Sequence, residues 1–179
     1  MLNGKKVAIL VEQDFADSEL TESLRAMRTA GATVIVVGSA SQRSYWGKRR
    51  EANVMADAAA DAVRAEDFDA VIIPGGFAPD EMRLHQPMVD FVRKAHDLGK
   101  IVAAISHGQQ LLISADIVRG RRVTSWPSVA VDLKNAGAVW IDEPVVRDGN
   151  LITSCKPADL REFNMAIVEA LQGQTSARV

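Results

Sequence analysis

Ser106, His107 and Gly108 stand in a row where the sequence changes character. Before them, Ile101–Ile105 is an unbroken apolar run, the pattern of a short buried strand. After them, Gln109 to Leu112 is compatible with a helix. A strand that breaks sharply into a helix at a Ser or Cys is a nucleophile elbow, whose tight turn pushes the side chain out of the sheet. The helix N-terminus adds unpaired N–H groups and the positive end of its dipole, which favour an oxyanion. A hydroxyl placed there needs a general base, and the neighbouring His107 titrates near neutral pH. Serine is also a preferred N-cap, and a histidine is often a partly buried structural residue. The triplet alone therefore admits a structural reading as well.

The elements that would position this triplet alternate along the chain. KVAILV at 6–11 is a continuous apolar strand. Ser18 and Glu19 open a helix carrying Leu20, Leu24 and Met27 on one side, and Gly31 stops it. TVIVV at 33–37 is a β-branched strand, and the polar segment 38–57 accommodates a small strand pair. AVIIPGG at 70–76 is a buried strand ending in a tight turn. Pro87 to Leu98 is a helix with Pro in its first turn and Gly99 at its end. After Gly120 come RVTSW, a helix from about Ser128 to Asn135, and a hairpin from Val145 to Thr153 around Asp148-Gly149. A closing helix from Pro157 to about Leu171 puts Leu160, Phe163, Ile167 and Leu171 on one side.

Buried strands alternating with helices imply an α/β fold, a mostly parallel sheet covered on both faces. In such folds ligands bind outside the carboxyl ends of the strands. Three features fall there: the loop after Val11, the Gly75-Gly76 turn, and Ser106. The pattern reads as a single domain over 1–172 with a frayed tail at 173–179.

Composition narrows the function classes. A formal net charge of -2 argues against a nucleic-acid partner, which usually meets a basic face. The one basic cluster, Lys48-Arg49-Arg50, precedes Glu51 and reads as a solvated loop. No apolar run approaches membrane-spanning length, and the first apolar stretch is short for a secretory signal, so a cytoplasmic setting is expected. Cys155 is the only cysteine, and His85, His96 and His107 lack ligand spacing, so neither a disulfide nor a metal site is expected. Cys155 reads as an inert small hydrophobe, or less simply as a redox-responsive thiol. Trp46, Trp126 and Trp140 read as packing residues, and Glu19 as an acid favoured at a helix start.

Five blocks carry a resemblance: VEQDFADSELTE at 11–22, VIIPGGFAPD at 71–80, AAISHGQQLLISA at 103–115, RRVTSWPSVAVDLKNAGA at 121–138 and EPVVRDGNLITSCKPADL at 143–160. In them the chain resembles the PfpI-type intracellular proteases, whose relatives include the parkinsonism-associated deglycase and glyoxalase III enzymes. The resemblance implies a flavodoxin-like three-layer sandwich of the class-I glutamine-amidotransferase type, with a small β-hairpin. It implies a hydrolase acting on a carbonyl of a small aldehyde, a glycated group or a peptide, with no cofactor, assembled as a homodimer or hexamer.

The resemblance also implies roles. Ser106 occupies the slot of a nucleophilic cysteine, with His107 as base or acid. Glu19 holds the position of the acid that contacts the nucleophile. Gly75 and Gly76 form the turn beside it, with the Gly76 and His107 amides as oxyanion donors. Asp80 sits where some oligomeric relatives place an acid that reaches a neighbouring subunit, and Trp126 where a pocket-lining aromatic or His is common. Against the family pattern, Ser replaces Cys at 106, Gln109 replaces Pro, Cys155 replaces Arg and Ala16 replaces an acid. These departures imply weak activity or none, and they also fit a non-catalytic, stress-associated or chaperone-like oligomer. A thiol at a helix N-terminus ionises readily, whereas a hydroxyl does not.

Overall fold

The apolar runs read from the sequence become the central strands of one sheet. A computed structural model describes residues 1–174, and the expected tail lies outside this range apart from Gly173 and Gln174. In chain order the first half comprises β1 (Lys6–Leu10), α1 (Asp17–Thr29), β2 (Thr33–Gly38), β3 (Ser44–Trp46), β4 (Asn53–Met55), β5 (Ala58–Ala59) and β6 (Ala70–Ile73). Then come α2 (Ala78–Met82), α3 (Gln86–Asp97), β7 (Ile101–Ile105) and α4 (Gln109–Ser114). The chain continues with β8 (Arg122–Val123), α5 (Ala130–Asn135), β9 (Val139–Trp140), β10 (Val145–Asp148), β11 (Leu151–Ser154) and α6 (Leu160–Gly173).

Seven strands pair in the order β10-β11-β7-β6-β1-β2-β5. All pairings are parallel except β10 with β11. Every residue of β6 and β7 is buried, as expected for strands covered on both faces. Helices α1 and α6 pack together, as do α3 and α4, giving the flavodoxin-like layered architecture. The expected hairpin at 145–153 exists but is not a separate appendage, because β11 pairs with β7 and makes the hairpin one edge of the main sheet. The strand pair expected within 38–57 is β3–β4, antiparallel and outside the main sheet.

The strand order reverses between β1 and β6. β1 leads through α1 to β2 on one side, while β6 and β7 lie on the other. A crevice therefore opens at the carboxyl ends of β1, β6 and β7. No helix among the described residues is long and apolar enough to cross a membrane.

Candidate active site

Each of the three central strands delivers one part of the site. β7 ends at Ile105, and Ser106 follows with φ of 64°, a left-handed conformation rare for a residue with a side chain. The helix cap is Gly108 and α4 starts at Gln109, so Ser106 lies in the turn itself and is not an N-cap. The turn is held from both sides: the Ser106 amide donates to the Ser154 carbonyl at 3.0 Å, and the Trp126 amide donates to the Ser106 carbonyl at 3.1 Å. Gln109 adds a clamp, its Nε2 donating to the carbonyls of Thr124 at 2.7 Å and Ser154 at 2.8 Å. The glutamine thus ties the elbow to the two neighbouring segments, a role that only the fold reveals.

The Ser106 Oγ lies 3.2 Å from Nδ1 of His107. Sequence adjacency alone does not guarantee this, because the ring must fold back over the turn. Burial, and behind it the Lys48 ammonium, hold the His107 imidazole below its ordinary range, so the ring is neutral and able to accept a proton. Its plane stacks beside Trp126, with ring centroids 6.2 Å apart and an interplanar angle of 23°.

β1 and β6 supply the acid and the turn. Glu19, in the first turn of α1, is 1% exposed, and its Oε2 accepts a 2.7 Å hydrogen bond from the Gly75 amide. Its Oε1 is buried and has no hydrogen-bond partner within ordinary distance among the described residues. Burial pushes this carboxyl up to about 7, against the smaller opposing pulls of the Gly75 amide, Lys48 and Ser106. At neutral pH it is therefore divided between the acid and the carboxylate.

A side chain at Gly75 would meet Glu19 Oε2 at 2.7 Å, the His107 amide nitrogen at 2.9 Å and Ser106 Cβ at 3.0 Å. The turn can come this close only because no Cβ is present. Gly76 has φ of 82°, and a Cβ there would meet the Ala16 nitrogen at 2.4 Å. Among the described residues, the Gly76 and His107 amides make no intramolecular hydrogen bond. The His107 amide follows Ser106 directly in the turn, and a backbone donor free beside a strained hydroxyl is one requirement of an oxyanion site.

A pocket of about 510 Å³ gathers these groups, lined by Glu19, Ser106, His107 and Trp126 together with Lys48 and Arg49. A groove of about 530 Å³ between α1 and α6, walled by Arg25, Met165 and Val168, holds no nucleophile beside a base, so volume alone does not locate the chemistry. Trp126 is 39% exposed at the pocket edge. Trp140 instead donates from Nε1 to Ser125 Oγ at 3.1 Å, a packing role. Asp80 lies on α2, exposed and outside the pocket lining of this chain. Cys155 borders a separate cavity of about 100 Å³ with Asp142, Glu143 and Lys156. Burial, followed by the nearby Asp159 carboxylate, pushes its thiol up.

The basic cluster is an exposed turn, as its reading as a solvated loop implies, but it also reaches the site. Lys48 and Arg49 form part of the pocket wall, and Lys48 acts on the charge states of both Glu19 and His107. The cause lies in Asp17, which no local pattern singles out. Its buried carboxylate accepts from the amides of Arg49, Glu51 and Ala52 and so draws the β3–β4 tip over the site.

The DJ-1/PfpI family model matches residues 5–170. The chain is 42% identical over 169 residues to protein/nucleic acid deglycase 2 of Escherichia coli strain K12, covering 94% of this chain and 98% of that protein. It is 41% identical over 170 residues to general stress protein 18 of Bacillus subtilis strain 168, covering 94% and 99%. Among solved structures, it superposes with a TM-score of 0.93 and 45% identity on a two-domain protein of Anabaena variabilis. That protein contains DJ-1/ThiJ/PfpI-like and ferritin-like domains; the match covers 94% of this chain and 48% of the Anabaena chain, about half its length. With its strands, its strained elbow serine and its buried glutamate in this arrangement, the chain belongs to the DJ-1/PfpI family.

Proposed function

We propose that this protein is a carbonyl-directed hydrolase of the deglycase and protease-like kind, with Ser106 as its nucleophile. The observation that carries the reading is the strained Ser106, at φ 64°, whose Oγ stands 3.2 Å from the neutral His107 Nδ1. The Oγ adds to a carbonyl carbon while its proton passes to Nδ1. The carbonyl oxygen becomes an oxyanion facing the free amides of Gly76 and His107. With an aldehyde, that oxygen takes the proton back and a hemiacetal results. With a peptide, the departing amine takes the proton from His107 and leaves an acyl ester for water to hydrolyse. Glu19, near its titration midpoint, stands beside the nucleophile, and its hydrogen bond with Ser106 favours the carboxylate form.

Turnover of this serine form is slow. A hydroxyl is activated only by an aligned base, and the base is itself best held by a third group. Among the described residues His107 makes no side-chain hydrogen bond other than the one to Ser106. The competing reading, a non-catalytic stress-associated member, is favoured by the same hydroxyl and by a relative named general stress protein 18. Assays on methylglyoxal and on a peptide substrate, comparing the wild type with Ser106→Ala and Ser106→Cys, separate the two. Slow turnover that Ser106→Ala abolishes supports the enzyme; no turnover in any of the three supports the non-catalytic member.

In this reading the protein is cytoplasmic and works as at least a homodimer. Phe77, 68% exposed, and Leu84, 73% exposed, flank Asp80 on and beside α2 and supply an apolar surface for a second subunit. Asp80 then serves across that boundary.

A further inference from the structure

The chemistry assigned to Ser106 does not explain why a basic hairpin tip is held over the pocket. The tip is tied down at several points. The buried Asp17 accepts from the Arg49 amide at 3.0 Å, the Glu51 amide at 3.1 Å and the Ala52 amide at 3.0 Å. The Lys48 amide donates to the Phe15 carbonyl at 2.9 Å, and Arg50 pairs with Asp14 at 2.9 Å. All these tethers start from the segment that leads into Glu19, so tip and site are anchored to the same stretch of chain.

The tethers use up Arg50 and the carboxylate of Asp17 but leave two cations uncommitted. Neither Lys48 nor Arg49 forms an ion pair with any carboxylate among the described residues. Both line the pocket that holds Ser106 and His107. The Lys48 ammonium lies over the Phe77 ring, 5.5 Å from its centroid, a contact that steadies the side chain without neutralising it. Three carboxylates share the lining: Asp17, taken up by the tip's own amides, Glu19, raised to about 7 and so only partly ionised, and Glu51 on the tip beside the two cations. His107, held neutral, adds no positive charge. A loop kept basic only for solubility has no need of a buried carboxylate anchoring its backbone against the mouth of a pocket.

We propose that Lys48 and Arg49 form an anion-binding rim, selecting carbonyl compounds that carry a carboxylate next to the reactive carbon. The inference rests on the carbonyl chemistry proposed for Ser106 and names the class of substrate that chemistry receives. A pocket of about 510 Å³ holds a molecule of that size with room to spare.

Pyruvate, which carries both groups, and hydroxyacetone, its neutral counterpart, are the probes. Each is titrated into the full-length ¹⁵N-labelled protein while backbone amide and indole N–H signals are followed. Pyruvate should shift the Lys48 and Arg49 amides and the Trp126 indole in a saturable way, and hydroxyacetone should bind at least severalfold more weakly. The double variant Lys48→Ala/Arg49→Ala should weaken pyruvate binding by roughly fivefold or more, the scale of partly exposed charge pairs. Lys48→Arg alone, which keeps the charge, should retain most of the wild-type binding. Equal binding of the two probes, shifts confined to another surface, or pyruvate affinity unchanged in the double variant would each overturn the rim. Failure of the carbonyl reading looks different: pyruvate still binds with this charge dependence, while methylglyoxal and peptide turnover are absent from all Ser106 variants.

Discussion

The Gly75 amide donates a 2.7 Å hydrogen bond to Glu19 Oε2, joining the end of β6 to the first turn of α1 directly beside Ser106. Three chain segments far apart in sequence thus meet at one point that no side chain can occupy. Gly75→Ala should therefore damage fold and site together. The added methyl would stand 2.7 Å from Glu19 Oε2 and 3.0 Å from Ser106 Cβ. A loss of about 1–3 kcal/mol in stability is expected, the usual cost of overpacking. Urea denaturation reads it, and activity on methylglyoxal should fall with it.

Glu19 gives stability a definite pH dependence. Its carboxyl titrates at about 7 in the fold, against an ordinary value of 4.5. The folded chain holds this proton more tightly than the unfolded chain does. The contribution of Glu19 is therefore full below the unfolded value and is lost as pH rises through about 7. Glu19→Gln mimics the protonated form and removes the loss. The stability of the variant relative to wild type should climb across that window by up to about 1.4 kcal/mol per pH unit. Denaturation curves at several pH values check this, and parallel pH profiles for the two proteins would show that Glu19 is not perturbed.

The Asp80 assignment depends on assembly. Light scattering should give a mass at least twice the 19.4 kDa of one chain. Leu84→Lys should shift the population toward monomer, because it places a charge on an apolar contact. A stable monomer across micromolar concentrations would detach Asp80 from the site.

Alkylating reagents should leave activity intact. Cys155 is the only thiol, it lies outside the Ser106 pocket, and burial keeps it protonated. Iodoacetamide should label it slowly, as mass spectrometry would show, with turnover unchanged. Inactivation in step with labelling would bring Cys155 into the mechanism.

How much of this was legible in the sequence depended on whether the signal was local. The runs at 7–10, 70–73 and 101–105 are apolar on both faces and announce buried parallel strands without any partner in view. The elbow was legible because an apolar run stops at Ser106. The φ of 64° that removes the N-cap reading belongs to the folded backbone alone. β5, two alanines, and α2, five residues containing Pro79, carry too short a pattern to read. The hairpin at 145–154 was visible from its turn residues, but its place in the main sheet follows from the pairing of β11 with β7, a contact about fifty residues apart. The Lys48–Arg50 turn is exposed as read, but its nearness to the pocket was hidden for the same reason. What holds it over the pocket is Asp17, some thirty residues earlier.

The central claim is that Ser106 is a strained, His107-assisted nucleophile working below the capacity of its fold. Steady-state kcat/KM on methylglyoxal for the wild type, Ser106→Ala and Ser106→Cys tests it most directly. Low turnover by the wild type, background turnover by Ser106→Ala, and a gain of roughly tenfold or more for Ser106→Cys, about 1.4 kcal/mol of barrier, are expected. Ser106→Ala turning over at the wild-type rate would contradict it, because the chemistry would then belong to another residue.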